Sequence, residues 1–235
     1  MSKPFLTAFW SQIAIINYEV PADLLERIVP RGTGIDHFQG RALVSVVGFQ
    51  FEQVRLRGIK VPFHQSFEEV NLRYYVRRRV DNQWRRGVSF IKEIVPKFWV
   101  ACLARRLYQE NYVRMPMRRS VTPGASARYM WRHSGRWNSL EVSAFGEADF
   151  PESGSEEEFI TEHYWGYTPQ RHGGSIEYHV EHPKWRVWKA RQASLDCDVA
   201  ALYGNAFAPY LAGPPSSALL AEGSPVTVFE PTTLL

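Results

Sequence analysis

Glu69, Asn71, Arg73 and Glu93 are the side chains of this sequence whose types and spacing suggest chemistry. The first three recur at alternate positions of Phe67–Val76, FEEVNLRYYV, and alternation puts them on one side of a strand. Two carboxylates can act as a general acid and base if burial raises one of them. A guanidinium between them can hold an anionic ligand or serve as their fixed structural partner. Residue types alone leave both readings open.

These groups sit in a hairpin-like stretch, Phe67 to Val95. Val70, Leu72, Tyr74 and Val76 form the opposite, apolar face of the first run. Antiparallel strands commonly wet one face. The second run, Ser89–Val95, carries apolar residues at both parities, as a strand covered on both sides does. The polar face therefore lines a cavity in this reading. The turn, Asp81–Trp84, leaves the register loose, so charge decides it. Lys92 beside Arg73 would juxtapose two cations, and a shift of one residue puts Glu93 there instead. Lys92 then falls on the face opposite Glu69.

The 235 residues, 45% hydrophobic and 14% aromatic, suit a single domain over 1–235 with a sizeable core. Cys102 and Cys197 are far apart and suggest neither a zinc ribbon nor a disulfide framework. The N-terminus lacks a signal-peptide apolar region, and no apolar run could span a bilayer, so the expected location is cytoplasmic, with no membrane partner. The net charge is +4, and Arg77–Arg79, Arg85–Arg86, Arg105–Arg106 and Arg118–Arg119 form basic clusters. No nucleic-acid-binding signature accompanies them, so they read as solvated strand ends and helix faces. The seven histidines show no tight zinc spacing, and phosphate-loop, dinucleotide and nucleophile-elbow patterns are missing. No metal or cofactor is expected.

Strands are expected over Ser11–Val20, Arg41–Arg55, Ala125–His133, Trp137–Phe145, from Ser175, and in PVTVFEP near the C-terminus. A short helix should start at Pro21, and a long amphipathic one should run over Pro96–Gln109. Glu110–Arg119 should emerge from it extended. Ser155 to Glu158 has capping-box spacing for another helix. Tyr164, Trp165, Trp185 and Trp188 read as core aromatics that could also wall a pocket. His182, before Pro183, suits a cap or backbone contact at a strand end, with a pocket role as the alternative.

Several segments carry a family likeness: VPRG with Val20-Pro21, FEEVNLRYYV, GVSFIKEIVP from Gly87, ARRLYQENYVRMPM from Ala104, FITEHYW near Phe159 and EHPKW near His182. In this order, over nearly the whole chain, they resemble the YqjF-like family, a domain of unknown function. That family is distantly similar to the acetoacetate decarboxylase superfamily. The resemblance implies an α+β fold, an acetoacetate-decarboxylase-like curved antiparallel β barrel or sheet with a few outer helices and a small-molecule pocket within.

The decarboxylases have an aromatic-x-Glu motif whose glutamate enters the pocket, and Phe67-Glu68-Glu69 resembles it. Their Schiff-base lysine follows a helix ending in Arg-Glu, and Tyr112-Val113-Arg114-Met115 resembles that segment without its lysine. Schiff-base chemistry needs a neutral amine, and arginine stays protonated. If Arg114 matches that place, it would hold a carboxylate without attacking a carbonyl. The expected function is binding of a small anionic or carbonyl-bearing organic molecule through Glu69, Asn71, Arg73, Glu93 and Arg114. The alternative is a lyase or isomerase with Glu69 and Glu93 as its acid–base pair. A homo-oligomer is left open.

Overall fold

The computed structural model describes residues 3–60, 65–97, 111–170 and 173–234. Nearly all of the expected helix over Pro96–Gln109, including Cys102, lies outside the described residues.

Strand β1 (Pro4–Val20) starts seven residues before the expected Ser11. Its alternation breaks at Gln12, which has a φ of 57° and sits at a register shift against the next long strand. A bulge of this kind inserts an extra residue and disturbs the period of two. Helix α1 (Ala22–Glu26) follows Pro21, and β2 (Gly34–Ile35) leads to β3 (Ala42–Leu56) and β4 (Ile59–Lys60). The candidate hairpin is β5 (Phe67–Val80) and β6 (Gln83–Val95), joined by Asp81 and Asn82, both at positive φ. That is the backbone of a two-residue turn whose twist matches its strands.

The segment after residue 110 is extended as expected, forming β7 (Tyr112–Arg114) and β8 (Met117–Thr122). A meander, β9 (Ser126–His133) and β10 (Arg136–Ala144), turns at Ser134-Gly135. Helix α2 (Glu156–Thr161) is capped by Ser155, whose hydroxyl accepts from the Glu158 amide at 3.1 Å. Then come β11 (Trp165–Pro169), β12 (Ser175–Glu181), β13 (Val187–Asp196), helices α3 (Val199–Tyr203) and α4 (Ala208–Leu211), and the docked terminus, β14 (Ser217–Phe229) and β15 (Thr232–Leu234).

These strands form one large curved sheet in the order β15-β12-β11-β6-β5-β3-β1-β14-β13-β10-β9-β8. Most pairs are antiparallel; β6 pairs in parallel with β7 and β11. A further pairing of Val180 and Glu181 in β12 with Val228 and Thr227 in β14 brings the sheet back onto itself. Its strands have an apolar core on each side. On one side, Val44, Val46, Val70, Leu72 and Tyr74 pack against Trp131, Tyr129, Leu140 and residues of α3 and α4. Gly48 permits that approach, because a Cβ there would lie 2.5 Å from the Tyr129 ring. On the other side, Ile13, Ile15, Val47, Phe49 and Phe51 meet Phe159, Ile160 and Trp185.

Several arginines expected at solvated strand ends instead neutralise buried acids. Arg86 and Arg77 pair with Asp36, and Arg78 and Arg85 with Glu177. Both acids are nearly inaccessible to water, and burying a carboxylate without such partners is costly. Among the described residues, no helix is long and apolar enough to cross a membrane.

Candidate functional site

Alternation along β5 sends Glu69, Asn71 and Arg73 to the side holding Phe49 and Trp185, opposite Phe49, Val47 and Ser45 of β3. Across the hairpin, Asn71 faces Glu93 and Leu72 faces Lys92, whereas Arg73 faces Phe90. Ile91 is thus an extra residue in β6. Continuing the regular register from the turn would place Lys92 opposite Asn71. The bulge gives that position to Glu93 and sends Lys92 to the other face, where Nζ donates to the Leu202 carbonyl.

These side chains enclose a cavity of about 210 Å³. Its walls are mainly apolar: Trp10, Phe49, Phe51 and Phe67 on one side, and Ile160, Trp165, Trp185 and Val228 on others. Glu69, Asn71, Arg73, Glu93, Tyr112, Thr161, His163 and His182 supply its polar lining. Four of the five expected ligand-binding residues therefore meet in one place. The fifth does not. Arg114 is exposed on β7, opposite Val95, and its Nε donates to the Pro96 carbonyl at 3.3 Å. Parallel pairing of β7 with β6 turns Tyr112 inward, while Arg114, two residues on, lies at the exposed end of this short strand.

Glu69 is only 2% exposed. Its Oε1 accepts from Asn71 Nδ2 at 2.9 Å and its Oε2 from the Tyr112 hydroxyl at 3.1 Å. Burial raises its pKa to about 7, against the opposing effects of those two hydrogen bonds and of the Arg73 charge. Arg73 donates from Nη2 to the Ile160 carbonyl at 3.1 Å and lies 5.6 Å from the centre of the Tyr75 ring. Its Nε is buried with no acceptor, and it forms no ion pair among the described residues. A buried guanidinium N–H without an acceptor is only partly compensated for its loss of water.

His163 was not singled out by sequence reasoning. It follows the short helix α2 and lies within the FITEHYW segment that carries the family likeness, but only the fold brings it to β5. Its ring lies 4.8 Å from Tyr75 and 5.0 Å from Phe159, and Nε2 is 3.2 Å from Asp36 Oδ2. Burial pushes the imidazole down to about 4; Asp36 opposes this, and the Arg86 and Arg73 charges add to it. Burial also acts on Asp36, upward, but the His163 and Arg86 hydrogen bonds prevail and its pKa lies below the ordinary value. His182 makes the expected backbone contact, Nδ1 lying 2.9 Å from the Pro183 carbonyl oxygen, and its ring also stacks on Trp185 at 4.3 Å.

Among the described residues, no group of three or more His, Cys, Asp or Glu is arranged to hold a metal. The chain's six lysines, Lys3, Lys60, Lys92, Lys97, Lys184 and Lys189, are all described, and none lines the cavity.

A family model described as an uncharacterized conserved protein, DUF2071, matches residues 7–225. The chain belongs to this family. The DUF2071 chain is similar to the uncharacterized protein YqjF of Bacillus subtilis, at 24% identity over 194 residues, covering 81% of this chain and 76% of that one. The DUF2071 chain also shares its fold with solved acetoacetate decarboxylase-like enzymes. The acetoacetate decarboxylase of Legionella pneumophila superposes with a TM-score of 0.69 at 12% identity, covering 100% of this chain and 88% of that chain. The enduracididine biosynthesis enzyme MppR, complexed with pyruvate, gives 0.66 at 11% identity, covering 100% and 92%. An acetoacetate decarboxylase-like enzyme from Sphingomonas wittichii gives 0.66 at 12% identity, covering 99% and 94%. The fold is thus acetoacetate decarboxylase-like: a large curved sheet with few short helices.

Proposed function

We propose that the cavity binds a small organic acid, with its carboxylate on Arg73. The observation that carries this reading is a guanidinium lining an apolar cavity with a buried, unsatisfied Nε and no ion pair among the described residues. A desolvated cation gains most from an anion that fills the remaining donor positions. Pyruvate in the related fold of MppR is in keeping with a small carboxylate, and the reading needs no amine nucleophile. The partner is then a small molecule, neither nucleic acid nor membrane.

The test is thermal stabilisation and calorimetry with a panel of small carboxylic acids and their neutral amides. Stabilisation by acids but not by amides, lost in Arg73→Met, supports the assignment. A panel without any stabilising acid removes it.

A second reading, a lyase or isomerase without a Schiff base, draws on Glu69. A carboxyl with a pKa of about 7 is well matched to proton transfer near neutral pH, and Glu93 lies across the hairpin on the same face. Isotope exchange at the carbon next to the carboxylate of a bound acid, absent in Glu69→Gln, would favour it. Exchange that persists in Glu69→Gln would sink it.

A further inference from the structure

We infer that the bound acid is a medium-chain alkanoate, whose unbranched chain lies along an apolar wall that β1 and β3 carry away from Arg73 toward Leu56. The inference rests on the carboxylate reading of Arg73 and deepens it.

Regular alternation would end this wall early. On β3, Val47, Phe49 and Phe51 face the cavity, and a strict period of two would turn Val54 and Leu56 to the opposite side. Gln53 prevents this. Its φ is 54°, and the pairing with β1 takes up one extra residue of β3 there, Phe9 facing Glu52 and Thr7 facing Arg55. The insertion resets the parity, and Val54 and Leu56 join the lining. Gln12 does the same on β1, so that Ile13 and Ile15 follow Trp10 inward. Both bulges therefore lengthen one apolar wall. At the rise of a strand it runs about 25 Å from Val47 to Leu56.

The charged side chains of the lining stand at one end of that wall. Arg73 faces Ser45 of β3 and Glu69 faces Phe49, while Glu93 lies opposite Asn71, which itself faces Val47. Past the paired Phe51 and Phe67, the lining consists of Phe5, Leu6, Val54, Leu56 and Val228, without a charged group. The ends differ in cover as well. Ile15 and Val47 are fully buried beside the charged groups, whereas Leu6, Leu56 and Val228 are half-buried. A polar head and an apolar tail at opposite ends of one cavity match an acid with its carboxylate on Arg73 and its chain running toward Leu56. A volume of about 210 Å³ drawn out along such a wall suits a single flexible chain better than a broad ring system. An acid of only two or three carbons would leave the apolar end to water, and each methylene that covers it adds affinity.

Calorimetry with butanoate, hexanoate, octanoate, octanamide and 2-naphthoate tests this. The wild-type protein should bind one equivalent of each alkanoate, with affinity rising about fourfold per added methylene, the equivalent of ~0.8 kcal/mol for a buried CH₂. Octanamide and 2-naphthoate should bind at least tenfold more weakly than octanoate. Val54→Phe fills the apolar end, and it should keep the butanoate affinity while weakening octanoate at least tenfold. Leu56→Trp, at a half-buried position, makes the same test if Val54→Phe fails to fold. Affinities that stay flat or fall with chain length, or tighter binding of 2-naphthoate, overturn the chain inference while leaving the carboxylate reading intact. A chain-length gain that survives in the folded variants places the chain elsewhere and overturns it too. Octanamide binding as tightly as octanoate removes the carboxylate reading, and the acid assignment with it. If none of the acids binds, both fall.

Discussion

Tyr112 donates its hydroxyl to Glu69 Oε2 at 3.1 Å from a strand that runs parallel to the one facing Glu69 across the hairpin. The phenol stabilises the ionised carboxylate and so restrains the upward push of burial. Tyr112→Phe should move the Glu69 midpoint above its value of about 7. Carbon NMR of labelled glutamate carboxyls would follow the titration, and an unchanged or lower midpoint would contradict the assignment.

Stability should also depend on Glu69. Its folded pKa is raised, from 4.5 to about 7. The native state therefore holds this proton more tightly than the unfolded chain does, and the stability it contributes is present in full below pH 4.5 and lost as pH rises through 7. Glu69→Gln cannot lose it. Denaturant titrations of both proteins should diverge in favour of the variant across that window, by up to about 3 kcal/mol. Parallel curves would show that Glu69 ionises without penalty.

Arg73 separates binding from folding. With no ion pair among the described residues to repay its desolvation, replacing it by methionine should change the stability of the unliganded protein by no more than about 1 kcal/mol. The same change should abolish stabilisation by carboxylic acids. A loss of several kcal/mol without ligand would mark Arg73 as a structural residue.

Gly87 holds β6 against β11. A Cβ at this position would lie 2.5 Å from the Trp165 carbonyl oxygen and 2.7 Å from the Tyr167 ring, and the first of these is backbone that cannot swing aside. Gly87→Ala should cost about 1–3 kcal/mol, visible as a lowered melting temperature, and should loosen the cavity wall that Trp165 and Gly166 provide. A melting temperature equal to wild type would show that the strands separate at little cost.

Borohydride reduction in the presence of 2-oxo acids should leave no adduct. Burial lowers the Lys92 pKa, which favours the neutral amine, yet its face of the sheet is not the cavity's. Mass spectrometry of the intact protein reads the outcome, and a reduced adduct mapped to Lys92 would reverse the assignment of faces.

The polar face of the hairpin was legible because Glu69, Asn71 and Arg73 obey a period of two, and because a strand apolar at both parities must be covered twice. Glu93 was legible through charge repulsion, although the bulge that accomplishes the placement left no mark in composition. Irregular backbone hid more. Gln12 concealed the first seven residues of β1, and only the tertiary structure brings Asp36 and His163 together across 127 positions. Arg114 was assigned by likeness to a motif, whereas its exposure follows from the local geometry of a three-residue strand. Arg77, Arg78, Arg85 and Arg86 looked solvated because their partners, Asp36 and Glu177, are distant in sequence; the Arg105–Arg106 cluster lies outside the described residues.

Ile91 makes neighbouring residues 92 and 93 alternatives for a single inward position. Moving the extra residue beyond Glu93 would turn Lys92 inward opposite Asn71, two positions along β5 from Glu69, with the composition unchanged. An acid-lined and an amine-bearing pocket are then neighbours in sequence space, separated by the placement of one residue in a strand rather than by invention of a new side chain. This offers a short route by which one scaffold could diversify, and a direct one for redesign.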